Sequence, residues 1–245
     1  MDYFGITDRG IVRKSNQDVF LCDDIRLLDS ALMIVCDGMG GAKSGNIASS
    51  MAAECFKKAL CDNVDLFGDK KSLAEKMKSA VEIANSAVYD KSISDTDCRG
   101  MGTTLVAAVA DKNGATIVNV GDSRAYLISR KNGIMQITRD HSVVADMIAR
   151  GDLTKEQAKH HPNKNLITRA IGTSPVVAVD VFHISLKEGD RLLLCSDGLT
   201  NIVDDDQLCY EATKSDDLSV CCENLVKAAI VLGAPDNVTA ALLRI

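Results

Sequence analysis

Two apolar segments that each end in Asp-Gly constrain the fold of this chain more than any other feature. In the first, 31–41, six small or apolar residues precede Asp37-Gly38; in the second, 192–198, Leu-Leu-Leu-Cys-Ser precedes Asp197-Gly198. Continuous apolar runs bounded by turn residues predict buried strands. A lone Asp-Gly pair usually marks a tight turn. Two buried strands that end alike, however, can bring two carboxylates to one place.

The rest of the chain alternates groups of predicted strands with pairs of predicted helices. We expect helices over about 44–60, from the capping-box pattern Ser72-x-x-Glu75 onward, and over 205–214 and 218–232. The predicted strands are 4–7, 18–22, 31–36, 102–110, 115–120, 124–129, 134–138, 179–184, 191–195 and 238–243. This order predicts an α+β fold: a four-layer αββα sandwich in which two central antiparallel sheets are flanked by helix pairs.

One polar segment interrupts the strands. The stretch Asp140–Asn165 holds three of the four His residues, and Thr154-x-x-Gln157 predicts a short capped helix that stops before Pro162. Arg150-Gly151-Asp152 has the composition of a helix end followed by a turn. We interpret residues 140–166 as a flap inserted into a single domain of residues 1–245, and we expect it to influence substrate choice.

Composition and charge limit the classes of function. The net charge of -6 argues against nucleic acid as a partner. The sequence has no apolar stretch of about 18 residues and no N-terminal basic and apolar segment, so neither a membrane span nor a signal peptide is expected. Nine cysteines form no Cys-x-x-Cys motif, which argues against zinc ribbons and thioredoxin-type sites. We therefore expect a protein of the reducing cytoplasm.

Five aspartates stand beside Gly, Ser or Asn at predicted strand ends: Asp18, Asp37, Asp122, Asp197 and Asp236. Each alone is most simply a turn or cap residue. Packed together, however, several carboxylates require a cation, because like charges and burial both disfavour ionisation. Oxygen-only ligands favour hard ions, so we expect Mn²⁺ or Mg²⁺ and not zinc. This number of acids favours two ions that share a bridging carboxylate.

Six short motifs follow one another along the chain. They are Thr7-Asp8-x-Gly10-x-x-Arg13-x-x-Asn16-Gln17-Asp18, Asp37-Gly38-Met39-Gly40-Gly41, Gly102-Thr103-Thr104, Gly121-Asp122-Ser123-Arg124, Ser196-Asp197-Gly198 and Asp236-Asn237-Val238-Thr239. In order and spacing this set resembles the metal-dependent Ser/Thr protein phosphatases of type 2C, in their compact bacterial form. The resemblance runs from residue 4 to residue 243.

The resemblance implies a metal role for each matched acid. Asp37 would bridge two tightly bound Mn²⁺ or Mg²⁺ ions, and the carbonyl of Gly38 would bind the second. Asp197 and Asp236 would complete the site of the first ion. Asp18 would act through metal-bound water.

The resemblance also implies a third ion and a reaction. Asp122, with help from Asp197, would hold a third, weaker ion. Arg13 would bind the substrate phosphate, because its planar fork matches two phosphate oxygens. A hydroxide bridging the two tight ions would attack phosphoserine or phosphothreonine in line with the leaving oxygen, so that Asp37, Asp197 and Arg13 are the catalytic residues. No cysteine begins a Cys-x5-Arg motif, which argues against thiol-dependent phosphatases.

Two positions depart from the family pattern. Many members have an acidic residue where this chain has Gln17, which can bind a coordinated water but adds no charge. Animal members have a His, proposed as general acid, where this chain has Met39. His161 in the flap is one candidate for protonating the leaving group; the alternative is an ordinary exposed His before Pro162.

Three functions remain open from the sequence. The first is a monomeric cytoplasmic phosphatase that acts on phosphoproteins made by a Ser/Thr kinase. The second is a pseudophosphatase that binds phosphoproteins with little or no hydrolysis. The third is a metallohydrolase of small phosphate esters. Intact Asp37, Asp197, Asp236 and Arg13 favour an active enzyme over the second.

Overall fold

The computed structural model describes residues 1–25, 30–41, 44–62 and 70–245. The helices are α1 (Ser44–Cys61), α2 (Lys70–Ser94), α3 (Val143–Arg150), α4 (Lys155–Lys159), α5 (Asp197–Thr200), α6 (Asp205–Thr213) and α7 (Leu218–Val231). The strands are β1 (Asp2–Asp8), β2 (Asp18–Ile25), β3 (Ser30–Met39), β4 (Gly102–Thr103), β5 (Leu105–Asp111), β6 (Gly114–Val120), β7 (Arg124–Ser129), β8 (Gly133–Gln136), β9 (Asp180–Ser185), β10 (Arg191–Cys195) and β11 (Val238–Arg244). The predicted capping contact of Ser72 lies outside the described side chains. Of the helices in the described ranges, none is long and apolar enough to cross a membrane.

The strands form two antiparallel sheets. The first sheet has the order β1-β11-β10-β7-β8, and the second has the order β2-β3-β5-β6-β9 with β4 paired to β3. Neighbours within each sheet run antiparallel, as the short connections between the predicted strands indicate.

Apolar side chains fill three layers, which explains why the central strands are apolar on both faces. Met33 and Val35 of β3 join the layer between the sheets, while Leu32 and Ile34 pack toward α1 and α2. Strand β10 divides in the same way, with Leu192 and Leu194 between the sheets and Leu193 toward the helices of the other side. The predicted four-layer αββα sandwich is thereby confirmed.

Strand β3 continues further than the sequence indicates. Asp37 was expected where this strand leaves the core, yet β3 runs on to Met39. The reason is a partner from elsewhere in the chain, since Gly38 and Met39 pair with Thr103 and Gly102 of β4. The predicted strand 102–110 is correspondingly divided at Thr104.

Two helices have no counterpart among the predicted elements. Helix α3, in the flap, is capped by Ser142 and ends at Gly151, whose φ of 81° suits a glycine, so only the end of this helix is anticipated by the sequence. Helix α5 begins at Asp197, where a turn was expected. The predicted cap of α4 is confirmed, because Thr154 and Gln157 form a reciprocal capping box.

The buried side chain of Arg191 links strand β10 of the first sheet to the chain around helix α6. Its guanidinium, in a side chain only 2% exposed, donates to the carbonyls of Ala212 and Ser215. Arg191→Met should lower the free energy of unfolding by about 3 kcal/mol, because it leaves buried carbonyls without donors. In Arg130→Met, the control, a largely exposed arginine loses its ion pair with Asp216 at 2.8 Å and its longer bond to the carbonyl of Thr213, which together should cost less than about 1 kcal/mol. Urea denaturation measures both, and equal small losses would contradict the buried role.

Candidate active site

Four of the predicted metal-binding carboxylates belong to strand ends that meet where the two sheets face each other. Asp18 and Asp37 are paired residues of β2 and β3 in the second sheet. Asp197 lies just after β10 and Asp236 just before β11, which are neighbours in the first sheet. Because these strands are antiparallel, the end of one lies beside the start of the next.

Asp18 joins the two sheets through hydroxyl groups. Its Oδ2 accepts hydrogen bonds from Ser196 Oγ at 2.7 Å and Thr239 Oγ1 at 2.6 Å, both from the first sheet side. Ser196 Oγ in turn accepts the backbone N–H of Thr239 at 3.0 Å. The other carboxylate oxygen, Asp18 Oδ1, is buried and has no hydrogen-bond partner among the described residues. Asp18 is thus held by one oxygen while the other is left available.

The backbone of Asp37 is fixed from both sides by one dipeptide. Its N–H donates to Thr104 Oγ1 at 2.8 Å, and its carbonyl accepts from Thr103 Oγ1 and from the N–H of Thr104, each at 2.9 Å. These bonds explain why β4 and β5 are interrupted at Thr104. They also leave the carboxylate of Asp37 little freedom to move away from its neighbours.

Gly38 allows a helix to approach the strand. A Cβ at this position would overlap the backbone carbonyl oxygen of Gly45, in the first turn of α1. The N–H of Gly38 donates to the carbonyl of Gln17 at 3.1 Å, which also ties the strand to the chain before β2. A glycine is therefore required here by the packing.

Asp197 is the first residue of α5. Its Oδ2 accepts from Asn201 Nδ2 at 2.9 Å, whereas its Oδ1 is buried without a partner among the described residues. The charge of Asp197 helps to raise the pKa of Asp37, so the two carboxyl groups act on each other within one cluster. The two acids that end the apolar segments of the sequence are therefore brought together.

Burial and mutual repulsion disfavour charge in this cluster. Burial, together with the charges of Asp197 and Asp236, raises the pKa of Asp18 to about 7, although its hydroxyl donors act in the opposite direction. Burial, followed by the charges of Asp18 and Asp197, raises the pKa of Asp37 well above its ordinary value. Burial and then the charge of Asp236 raise the pKa of Asp197. The carboxylates can all ionise at neutral pH only if positive charge compensates them.

Asp122 lies in the turn between β6 and β7 and extends the cluster. Burial, then the charges of Asp197 and Asp140, raise the pKa of Asp122 to about 8. The adjacent Ser123 is fully buried, and its hydroxyl pairs with that of Thr104 at 2.7 Å. Since Thr104 also binds the backbone of Asp37, the Asp122 turn and the Asp37 strand share one support.

Arg13, near the N-terminus, contacts Asp236, which lies near the C-terminus. Its Nη2 donates to Asp236 Oδ2 at 2.7 Å, and 53% of its side chain remains exposed. The hydrogen bond to Asp236 raises the pKa of the guanidinium, with the charges of Asp37 and Asp197 acting in the same direction. Arg13 therefore places a fixed, solvent-accessible positive charge beside the acids.

Gln17, which departs from the family pattern, contacts residues distant in the sequence, whereas the flap residue His161 makes a local contact. Gln17 Nε2 donates to the carbonyl of Gly41 at 3.2 Å. His161 Nδ1 accepts the N–H of Asn163 at 3.1 Å, and within the described part of the chain no hydrogen bond or ion pair joins His161 to the acids. Its catalytic role stays a prediction.

The hydroxyl residues of the site were not assigned roles from the sequence. Thr104, Ser196 and Thr239 each bind an acid directly or hold its main chain, and Ser123 supports Thr104. The available signal was their position within the six motifs, beside the aspartates. Hydroxyl residues next to an acid are so common in turns, however, that only their convergence in space identifies them.

The donor chemistry fits hard divalent cations. Two buried carboxylate oxygens without partners, Asp18 Oδ1 and Asp197 Oδ1, are costly unless a positive charge offsets them. Oxygen donors suit Mg²⁺ and Mn²⁺. Among the residues that the structure describes, no three His, Cys, Asp or Glu side chains form a ready-made cage. Mg²⁺ is commonly held by one or two carboxylates and several waters, so it does not need such a cage.

Comparisons with known proteins identify the family of the chain. The family model described as "Protein phosphatase 2C" matches residues 11–224. The serine/threonine phosphatase Stp of Listeria welshimeri is 37% identical over 240 residues, which cover 97% of this chain and 93% of that protein. Protein phosphatase PhpP of Streptococcus pneumoniae is 37% identical over 239 residues, with 97% and 95% covered.

A solved structure adds a likeness in three dimensions. The catalytic domain of the serine/threonine protein phosphatase PstP, in complex with two manganese ions, superimposes with a TM-score of 0.84 at 32% identity. The match covers 98% of this chain and 96% of that domain. The resemblance first read from six motifs thus extends over nearly the whole chain, and the chain belongs to the protein phosphatase 2C family.

Proposed function

We propose that this protein is a metal-dependent protein serine/threonine phosphatase, a hydrolase that removes phosphate from phosphoserine and phosphothreonine. The observation that carries the proposal is the convergence of Asp18, Asp37, Asp197 and Asp236, with two unpaired buried carboxylate oxygens, beside the exposed guanidinium of Arg13. Relatives named serine/threonine phosphatases support the same substrate class. No observation favours the pseudophosphatase or the small-ester hydrolase.

We assign each acid of the cluster to one metal ion or to both. Two Mn²⁺ or Mg²⁺ ions would be held by Asp37, which would serve both, by the carbonyl of Gly38 for the second ion, and by Asp197 and Asp236 for the first. Asp18 would accept a hydrogen bond from a coordinated water at Oδ1, which has no partner among the described residues. The two manganese ions in the related PstP structure support the pair. The chemistry supplied by such a pair is a lowered pKa of water, which makes a nucleophile available near neutral pH.

The protein's own groups orient the substrate. Arg13 has N–H groups beyond the one bound to Asp236, and its exposed side chain can present them to two phosphate oxygens. The hydroxyls around Asp18 and Asp37 hold these carboxylates in place, so that little reorganisation is needed during the reaction. His161 remains a candidate for protonating the leaving oxygen, with solvent water as the alternative.

We infer that the natural substrates are phosphoproteins made by a Ser/Thr kinase, and that the chain acts as a cytoplasmic monomer. The single domain of residues 1–245 would present the flap, residues 140–166, to the protein substrate. Polar loops carried by a rigid scaffold commonly set specificity, and the flap is such a loop with two short helices.

The first test of the proposal is metal dependence. Chelator should abolish hydrolysis of p-nitrophenyl phosphate and of a phosphoserine peptide, and added Mn²⁺ should restore both. Asp37→Asn should lower kcat by at least ~10³-fold, because it weakens both ions of the pair. Asp111→Asn is the matched control, since Asp111 only caps a hairpin turn through the N–H groups of Asn113 and Gly114. Full turnover in chelator would overturn the metal mechanism, and phosphopeptide binding without turnover would indicate a pseudophosphatase.

The second test concerns the phosphate contact. Arg13→Ala should raise KM for phosphoserine peptides more than Arg13→Lys does, because a point charge keeps part of the attraction but not the two-point geometry. Arg9→Ala, at an exposed arginine of the same loop, serves as the control and should leave KM unchanged. Steady-state kinetics on all four proteins decides the matter; equal KM values would exclude Arg13 from phosphate binding.

The third test separates the proposed weak ion from the pair. We propose that Asp122, with Asp197, holds a third ion that is bound mostly by water and is therefore weak. Asp122→Ala should leave the tight pair intact in a calorimetric Mn²⁺ titration, lower kcat, and change the Mn²⁺ concentration needed for activity. If Asp122 only caps its turn, the variant loses stability while metal stoichiometry and kcat stay as in the wild type.

A further inference from the structure

His141 makes four polar contacts at the base of the flap, and the proposed mechanism uses none of them. The residue is 4% exposed. Its N–H donates to the carbonyl of Gly121 at 3.0 Å, and its carbonyl accepts the N–H of Thr168 at 2.7 Å. Its ring Nδ1 accepts the N–H of Gly121 at 3.0 Å, and Nε2 lies 3.1 Å from Asp180 Oδ2.

These contacts determine the tautomer of the ring. An amide N–H can only donate, so Nδ1 is unprotonated and the proton of the neutral ring is on Nε2, which donates to Asp180. Arg169 Nη1 lies 3.2 Å from Nε2 and 2.8 Å from Asp180 Oδ1. Since both nitrogens are donors, Asp180 is their shared acceptor. Burial lowers the pKa of His141, which agrees with a neutral ring.

The residue before His141 holds the same turn at its other end. Asp140 accepts two short hydrogen bonds from Arg124, from Nε at 2.9 Å and from Nη2 at 2.7 Å. Asp140 and His141 therefore hold both ends of the turn Gly121–Arg124, and this turn contains Asp122. Gly121 has a φ of 108°, and a Cβ there would collide with Thr104. The turn is therefore also packed against Thr104.

The flap closes on itself at this same place. Beyond the bond between His141 and Thr168, Ser142 pairs with Ile167, and the N–H of Val143 donates to the carbonyl of Leu166 at 2.9 Å. Residues 141–143, at the start of the flap, are thus paired with residues 166–168, at and just after its end, next to Gly121. A shift of these paired residues must therefore move His141, and with it the turn Gly121–Arg124.

We infer that His141 is a positioning residue that couples the flap to the Asp122 turn. Its Nδ1 accepts the N–H of Gly121 in the turn, and its Nε2 donates to Asp180 of β9, which also binds Arg169, three residues after the flap. The inference rests on the proposed roles of Asp122 and of the flap. A substrate that shifts the flap would then also shift His141, and through it the turn that carries Asp122.

Two substitutions separate the two ring nitrogens. In His141→Asn the side-chain oxygen takes the place of Nδ1, so the acceptor for Gly121 is kept while the bond to Asp180 is lost. In His141→Gln the amide takes the place of Nε2, so the bond to Asp180 is kept while the acceptor for Gly121 is lost. His183→Ala is the matched control, because the one side-chain hydrogen bond of His183 to a described residue is with Thr116 Oγ1 at 3.1 Å, on β6. Thermal unfolding of each variant shows whether it folds.

The readouts are amide hydrogen exchange of Gly121 in the chelator-treated full chain, Mn²⁺ titration, and kinetics on p-nitrophenyl phosphate and a phosphoserine peptide. We expect His141→Gln to expose the Gly121 amide to exchange, to raise the Mn²⁺ concentration needed, and to lower kcat on both substrates by about 10-fold. His141→Asn should keep the Gly121 amide protected and raise KM for the peptide more than KM for p-nitrophenyl phosphate. His183→Ala should match the wild type throughout.

The outcomes distinguish the coupling role of His141 from the proposed metal role of Asp122. Unchanged Gly121 exchange and Mn²⁺ requirement in His141→Gln would overturn the coupling even if Asp122→Ala still changes the metal response. If Asp122→Ala changes nothing, the role of Asp122 fails and the inference fails with it. Should the His141 variants not fold, Asp180→Ala, at a side chain one-third exposed, should raise KM for the peptide selectively. Parallel KM changes on both substrates would then contradict the coupling.

Discussion

The repulsion among buried carboxylates is the constraint on which the rest of this structure depends. Asp18 is buried and Asp37 and Asp197 are half-buried, and each has a raised pKa because burial and neighbouring charge disfavour ionisation. Such a cluster does not assemble by its own attraction. It persists because the scaffold leaves the acids no alternative position, and the proposed cation site makes use of this unfavourable arrangement.

The scaffold enforces the arrangement by burying its central strands on both faces. Each sheet lies between the other sheet and a helix layer, so a strand cannot slip by one residue without exposing apolar side chains and burying polar ones. Register then determines which residues meet, as with Asp18 opposite Asp37. Hydroxyl groups complete the control at atomic scale: Ser196 and Thr239 orient one carboxylate, and Thr104 holds the backbone of another.

Much of this was predictable from sequence, because apolar runs and Asp-Gly ends are local signals. The two sheets, the helix pairs and the acids at the strand ends all follow from such patterns. The extension of β3 to Met39 was not predictable, since its partner strand β4 comes from a distant part of the sequence. The same holds for the pairing of Arg13 with Asp236. Contacts between residues far apart in sequence leave no periodic trace.

The most direct test of the account is where manganese binds. Crystals of the full chain grown with Mn²⁺, and measured at the manganese absorption edge, would locate the ions by their anomalous scattering. The account predicts two strong peaks joined by the carboxylate of Asp37, one in contact with Asp197 and Asp236 and the other with the carbonyl oxygen of Gly38. Manganese found only away from Asp37, or no ordered manganese in the cluster at all, would contradict it.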